Sequence, residues 1–181
     1  MLTSRLQLRP LQLGDAPIVS AYRSDPDTAR FQPWLTPYTV DDAEKLITEL
    51  VAKDPVTPGW FQYGIALRSD GTLIGDLGVN LDANGMQAEI GYTIAADRQG
   101  NGYATEAVRR ILDHLFGEQR LHRVSAECDA RNLASARLLK RVGFIEEGCR
   151  RSATWIKGEW TDDLLFGLLA AEWPARSGQQ Q

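Results

Sequence analysis

The feature that most constrains this chain is a strictly alternating segment that ends in a glycine-rich break. Met86, Ala88, Ile90, Tyr92 and Ile94 recur at every second position, and shortly afterwards comes Arg98-Gln99-Gly100-Asn101-Gly102-Tyr103-Ala104. Period-two alternation makes a strand with one apolar face. Past the break, Ala104, Ala107, Val108, Ile111, Leu112, Leu115 and Phe116 recur at the spacing of one helical face. A helix that opens this way leaves its first N–H groups without intrahelical acceptors. With the helix dipole, those groups form a concavity suited to an anion. Glycine lets a phosphate approach the backbone and permits positive φ. Two readings of residues 99–105 stand at this point: an anion-holding loop, or a tight strand-to-helix turn.

Two nucleotide motifs fit poorly. No Gly-Lys-Ser/Thr follows the glycines, so a P-loop is excluded. Gly100-Asn101-Gly102 lacks the third small residue of a dinucleotide fingerprint, since Thr105 stands in its place.

The remaining segments surround this unit. Leu6 and Leu8 suggest a short first strand, and Asp15 is a candidate N-cap for a helix through Tyr22. Residues 25–39, rich in proline and aromatics, read as an irregular loop. A second helix opens at Asp41, with Ala43, Leu46, Ile47 and Leu50 on one face. Phe61 to Leu67 and Leu73 to Leu81 flank a turn at Ser69-Asp70-Gly71 and predict a hairpin. Val124, Ala126 and Cys128 predict a strand, Asn132 to Val142 a helix stopped by Gly143, and Phe144 to Cys149 and Trp160 to Leu169 two final strands. The expected fold is a single α/β domain over residues 1–173. It has a mixed, mostly antiparallel sheet of about six to seven strands, in the order β-α-α-β-β-β-α-β-α-β-β, with helices on both faces. Residues 174–181, ending in glutamines, are expected to be a disordered tail.

Composition excludes several classes. A chain of 181 residues, 43% apolar and 24% charged, suits one globular domain. Its net charge of −4 and lack of a basic stripe argue against nucleic acid as the main partner. No run approaches the ~20 apolar residues of a membrane span. The first residues lack the apolar core of a signal peptide. A cytoplasmic location is therefore expected, with no membrane partner. Cys128 and Cys149 read as core thiols in a reducing compartment. His114 and His122 have no ligands at metal-binding spacing, so no metal is expected.

Gln99-x-x-Gly102-x-Ala104 resembles the Q/R-x-x-G-x-G/A signature of the GNAT superfamily of N-acetyltransferases. The longer run from Ala88-Glu89-Ile90-Gly91-Tyr92 to Ala107 resembles its RimJ/RimL-type branch, whose namesakes acetylate protein N-termini. Leu121-His122-Arg123-Val124, Asn132-x-x-Ser135, Leu138-Leu139, Gly143-Phe144, Gly158-x-Trp160-x-Asp162, Leu168-Leu169 and Glu172-Trp173 agree with it. The resemblance covers nearly the whole chain. It implies an enzyme that moves an acetyl group from acetyl-CoA to a primary amine by direct attack in a ternary complex. It also implies that Gln99, Gly100, Asn101, Gly102, Tyr103, Ala104 and Thr105 hold the pyrophosphate. Backbone groups of Thr93, Ile94 and Ala95 would pair with the pantetheine arm, and the Ile94 N–H would polarise the thioester carbonyl.

The chemistry sets the remaining needs. At pH 7 an α-amine, with pKa about 8, is mostly protonated, and a lysine-type amine at about 10.4 almost wholly so. A base must take that proton, and Glu89 is favoured, acting through water. It is out of phase with Ile90 and Tyr92 and so projects from the opposite sheet face, although an ordinary half-exposed polar residue would look the same. Asp76 and Glu127 are reserves. In some relatives a glutamate precedes the closing hairpin, but Thr154 stands there. Many GNAT enzymes protonate the leaving thiolate with a helical tyrosine; that position holds Leu139. The resemblance assigns the task to Ser135, which otherwise reads as a helix-face hydroxyl. Asn132 serves as an N-cap and, by resemblance, as a pantetheine contact.

Acceptor choice in the family comes from the first helices, their loop and the last hairpin, which hold Phe31, Trp34, Tyr38, Trp60 and Trp155; of these aromatics Trp34, Tyr38 and Trp155 are the chosen candidates for the pocket wall. They could equally cover a core edge. A peptide or protein N-terminus is the first choice of acceptor and a small amine such as a polyamine or aminoglycoside the second. A module that holds acyl-CoA without chemistry is the rival outside catalysis. The closing hairpin also offers an edge through which a homodimer could form.

Overall fold

The computed structural model describes residues 1–174, so residues 175–181 of the expected tail lie outside the described part. Seven strands form one sheet in the order β1-β2-β3-β4-β5-β7-β6. They are β1 (Leu6–Pro10), β2 (Gly59–Leu67), β3 (Leu73–Leu81), β4 (Gln87–Ile94), β5 (Arg123–Asp129), β6 (Ile145–Ile156) and β7 (Glu159–Leu169). The helices are α1 (Ala16–Ser24), α2 (Pro26–Ala29), α3 (Val40–Val51), α4 (Tyr103–Leu112) and α5 (Leu133–Val142). The expected element order holds, with α2 added. Its four residues are too few for periodicity to reveal. It forms because the Asp25 side chain accepts from the Thr28 N–H and Pro26 takes the first helical position.

Every strand pair is antiparallel except β4 with β5, which run parallel from Gln87–Ile90 against Arg123–Ala126. Past Ile90 the two strands part. Among the described residues no strand fills the gap, and the loop after β4 and the start of α5 stand over it.

Two layers cover the sheet. Leu6, Leu8, Ile90, Val124, Ala126 and Phe166 pack with Val108, Ile111, Leu112 and Leu139 of α4 and α5 in the larger core. Leu11 and Leu73 pack with Val19, Tyr22, Ile47 and Leu50 of α1 and α3 on the other face. Burying each large aliphatic or aromatic side chain contributes about 1.5–3 kcal/mol, so these layers hold the scaffold of the gap rigid.

Several local details differ from the expected ones. Thr39, not Asp41, caps α3, exchanging hydrogen bonds with Asp42 in a reciprocal box. Asp15 accepts from Arg9 and from the Gln12 N–H. β6 runs on to Ile156, with ladder irregularities at Glu146/Gly148 and Arg150/Thr154 that hide its alternation. Lys157 and Gly158, both at positive φ, close the final hairpin. Gly143 ends α5 at φ 120° as expected. Cys149 is exposed, not in the core, while Cys128 is half-buried.

Candidate active site

The gap between β4 and β5 opens into a cleft of about 460 Å³. Ten of the residues expected to serve the site line it: Thr93, Ile94, Gln99, Gly100, Gly102, Tyr103, Ala104, Thr105, Asn132 and Ser135. Glu89, Ala95 and Asn101 do not.

The loop has the form an anion site needs. Gly100 and Gly102 have φ of 77° and 78°, conformations that glycine adopts without strain. A Cβ on Gly100 would meet nothing within 4 Å, so its surroundings are open. The first intrahelical bond of α4 runs from the Glu106 N–H to the Gly102 carbonyl, and no side chain caps the helix. The N–H groups of Tyr103, Ala104 and Thr105 precede that bond. Arg98 and Arg141, two cations absent from the expected site list, also line the cleft. The loop is held from outside: Arg5 donates to the Asn101 carbonyl at 3.0 Å, stacks at 4.6 Å over the Tyr103 ring and pairs with Glu106. The Asn101 amide donates to the carbonyls of Arg98 and Gln99, so it shapes the loop from within. Gln99 likewise turns its amide to the Ile94 carbonyl at 2.9 Å, and its N–H closes the short turn before the loop on the Ala96 carbonyl. An open cradle of glycines and free N–H groups fits the diphosphate of acetyl-CoA.

The end of β4 corrects one expectation. The Ala95 N–H donates to the Ile74 carbonyl at 2.9 Å and is committed to β3. In an antiparallel ladder the parity then repeats, so Thr93, opposite Asp76, also turns its backbone toward β3. Tyr92 and Ile94 have the other parity and face the gap. Of the three residues whose backbone groups are expected to pair with the pantetheine arm, only Ile94 turns its N–H toward the cleft.

Glu89 lies on the far sheet face, as its phase predicts, paired in register with Ser125 on β5. Gly91 and Thr93 share that face and line the cleft, and a Cβ on Gly91 would meet nothing within 4 Å. Glu89 thus stands just behind the cleft wall with open space beside it. Burial, and then the neighbouring Glu127, raise its pKa above the ordinary glutamate value. The other carboxylates of this face are engaged. Glu127 pairs with Arg150, Glu147 with Arg123 and Asp129 with Arg131. Asp76 is buried and accepts from the Tyr22 hydroxyl and the Arg23 guanidinium, so its carboxylate is not presented to an incoming amine. Thr154 donates to Asp163 at 2.6 Å.

Asn132 caps α5, its Oδ1 accepting from the Ser135 N–H at 3.1 Å. The Ser135 hydroxyl lies 2.8 Å from that of Tyr92, a residue that alternation alone places in the core. Burial raises the Tyr92 pKa far above its ordinary value, with the Ser135 bond acting the other way. Cys128 adjoins this pair, and burial pushes its thiol up to about 11. It remains a protonated thiol near neutrality, unsuited to act as a nucleophile. Leu139 is fully buried below.

The aromatic wall is a second correction. Trp34 donates from its ring to the Arg23 carbonyl and lies under the Arg23 guanidinium. Trp34 and Tyr38 line a separate shallow depression beside α3. Trp155 is exposed on the last hairpin, edge-on to Trp160 at 5.3 Å. None of the three lines the cleft. Phe31, of the same aromatic set, does line it, together with Asp27, Thr28 and Gln32, because α2 turns that part of the loop toward β4. Gln32 donates to the Thr93 hydroxyl at 3.5 Å. The Asp25-Pro26 pair was the signal that could have found Asp27, Thr28 and Gln32.

Comparison with known proteins agrees with this geometry. Residues 5–145 match the acetyltransferase (GNAT) domain family, and the chain belongs to that family. It is 31% identical over 176 residues to p20 of Bacillus licheniformis, an uncharacterised N-acetyltransferase, covering 94% of this chain and 96% of that one. It is 36% identical over 129 residues to YdaF of Bacillus subtilis, provisionally named a ribosomal N-acetyltransferase, covering 67% and 70%. The fold superposes with a TM-score of 0.81 on spermidine N-acetyltransferase from Vibrio cholerae in complex with CoA and spermine, at 24% identity and covering 94% and 98%. The chain is an N-acetyltransferase, and acetyl-CoA is its acetyl donor.

Proposed function

We propose that the acceptor is a single α-amine at the N-terminus of a peptide or protein. The carrying observation is the charge balance of the acceptor face. Glu127, Glu147 and Asp129 each have an arginine partner, whereas Glu89 has no hydrogen-bonded cation among the described residues. A polycation would gain little from carboxylates already neutralised. One amine arriving over Gly91 meets one available base. The provisional ribosomal naming of YdaF accords with this reading.

Bound acetyl-CoA supplies the electrophilic thioester carbonyl. The chain's residues do the rest. The N–H groups that open α4, with Arg98 and Arg141, hold the diphosphate. The Ile94 N–H donates to the carbonyl oxygen. Glu89 takes the proton of the incoming ammonium through water, and Ser135 returns one to the departing sulfur. Positioning does much of the work, because a CoA thiol with pKa about 8.5 leaves with modest help.

The test is thiol release with acetyl-CoA and the twenty Xaa-Ala-Ala tripeptides, spermidine serving as the rival acceptor. Tripeptides are expected to turn over, with mass spectrometry placing the acetyl group on the α-amine. Faster turnover of spermidine overturns the acceptor class. Silence with every acceptor while CoA still binds indicates a non-catalytic module. Glu89→Gln is expected to lower kcat about 100-fold with CoA affinity unchanged. Because the Glu89 pKa is raised, native kcat falls with acidification earlier than an ordinary glutamate dictates, and the variant lacks that limb. An unchanged rate in Glu89→Gln removes it from the mechanism.

A further inference from the structure

We propose that Tyr92 is a positioning residue for acetyl transfer: its hydroxyl donates to Ser135 Oγ and thereby turns the serine's own hydrogen toward the leaving sulfur. This rests on the reading that Ser135 protonates that sulfur. The helix position from which many family members offer a phenol is Leu139, fully buried here. The sheet supplies one in its place. Tyr92 Oη reaches Ser135 Oγ at 2.8 Å within the cleft. The same stretch of β4 presents the Ile94 N–H two residues on, so one piece of strand serves both the carbonyl oxygen and the sulfur.

The serine needs such a partner. In a helix, a serine hydroxyl ordinarily donates back to the preceding turn, which consumes its hydrogen. Asn132 pins the Ser135 N–H but not its hydroxyl, whose side-chain neighbours are the Tyr92 hydroxyl and the Cys128 thiol. An acceptor bond from Tyr92 sets the direction of the oxygen's lone pairs, and the hydrogen then points away from the phenol. A buried tyrosine that keeps its proton is suited to donate, and its hydroxyl requires a partner in any case.

The protons and electrons balance. The amine nitrogen bonds to the acetyl carbon, the C–S bond breaks and sulfur keeps the pair. Ser135 Oγ–H passes its proton to that sulfur, while the Tyr92 hydroxyl keeps its own and steadies the Ser135 oxygen. The incoming ammonium gives up two protons, one to Glu89 before attack and one from the new amide nitrogen after it; one is made good through solvent at Ser135 and the other is released.

The test is the single-turnover rate of acetyl transfer to the best Xaa-Ala-Ala acceptor in the native chain, Tyr92→Phe, Ser135→Ala and the double variant, beside the Kd for CoA by calorimetry. Tyr92→Phe retains the packed ring, and unaltered CoA affinity shows the cleft is formed. We expect losses of about 10-fold for Tyr92→Phe and about 100-fold for Ser135→Ala, the double variant being no slower than Ser135→Ala. A native rate in Tyr92→Phe overturns the inference, as do losses that multiply in the double variant. A native rate in Ser135→Ala topples the serine's role itself. Silence of the native chain with every tripeptide instead topples the acceptor reading.

Discussion

Two helices open onto the same cleft, and their first turns are built in opposite ways. At α5, Asn132 turns its side chain back to the Ser135 N–H and satisfies the terminus from within. At α4, Gly102 has no side chain to turn, and the N–H groups of Tyr103, Ala104 and Thr105 stay open. A capped terminus is complete without a ligand, whereas an uncapped one forgoes about 1 kcal/mol of capping stabilisation. The chain gives up that stabilisation where a diphosphate can replace it, and keeps it where Ser135 must be held still. The difference separates the binding end of the cleft from its chemical end.

Filling the open terminus has the largest expected effect. Gly100→Glu places a carboxylate in open space beside the α4 terminus, so it alters no packing. The φ of 77° adds strain of about 1–2 kcal/mol for a residue with a Cβ. We expect CoA binding to weaken at least about 100-fold, and with it the thermal stabilisation of about 2.7 kcal/mol that CoA at 100 times the native Kd confers. Calorimetry and melting curves with and without CoA measure both. Native affinity in the variant would dismiss the loop as the diphosphate site.

Much of this contrast was legible in the residues. The alternation of 86–94, the glycine pair and the amphipathic 104–116 segment place the open terminus, and Asn132-x-x-Ser135 marks the capped one. What stayed hidden depends on register and contact. The commitment of Ala95 to β3 follows from ladder parity, which no local pattern reveals. Tyr92 alternates like a core residue, and only the approach of α5 gives its hydroxyl a partner. Trp34 resembles a pocket wall in a proline-rich loop, but its ring N–H finds the Arg23 carbonyl and folds it away. Burial rewards both placements of an aromatic equally, so composition cannot choose between them.

Breaking the capped terminus sharpens the comparison from the other side. Asn132→Ala removes the acceptor for the Ser135 N–H and is expected to cost about 1 kcal/mol, or about 2–4 °C in Tm for a domain of this size. Turnover falls because Ser135 loses its anchor, while the Kd for CoA shifts far less than in Gly100→Glu. Equal losses of CoA affinity in the two variants would erase the division between a binding end and a chemical end.

The smallest expected effect concerns how the open terminus keeps its shape without a cap. Glu106, in the first turn of α4, accepts from the Thr3 hydroxyl at 2.5 Å, the Ser4 hydroxyl at 3.0 Å, and the Arg5 N–H and Nε at 2.9 and 2.7 Å. Burial acts to raise its pKa, but these bonds prevail and hold it below the ordinary glutamate value. A carboxylate with a depressed folded pKa stabilises fully above its unfolded pKa, about 4.3, and that contribution is lost as pH falls through the folded value. Glu106→Gln keeps an oxygen for the hydroxyls but loses the ion pair with half-exposed Arg5. Exposed pairs contribute about 0.2–1 kcal/mol, so Tm near neutrality drops by about 1–2 °C. The variant's Tm then declines less steeply than the native one below pH about 4.3, as melting curves across that range will record. CoA affinity changes by about twofold at most, since the glycines and free N–H groups are untouched. A change as large as that in Gly100→Glu would mean that the outer clamp, rather than the open terminus, sets the site.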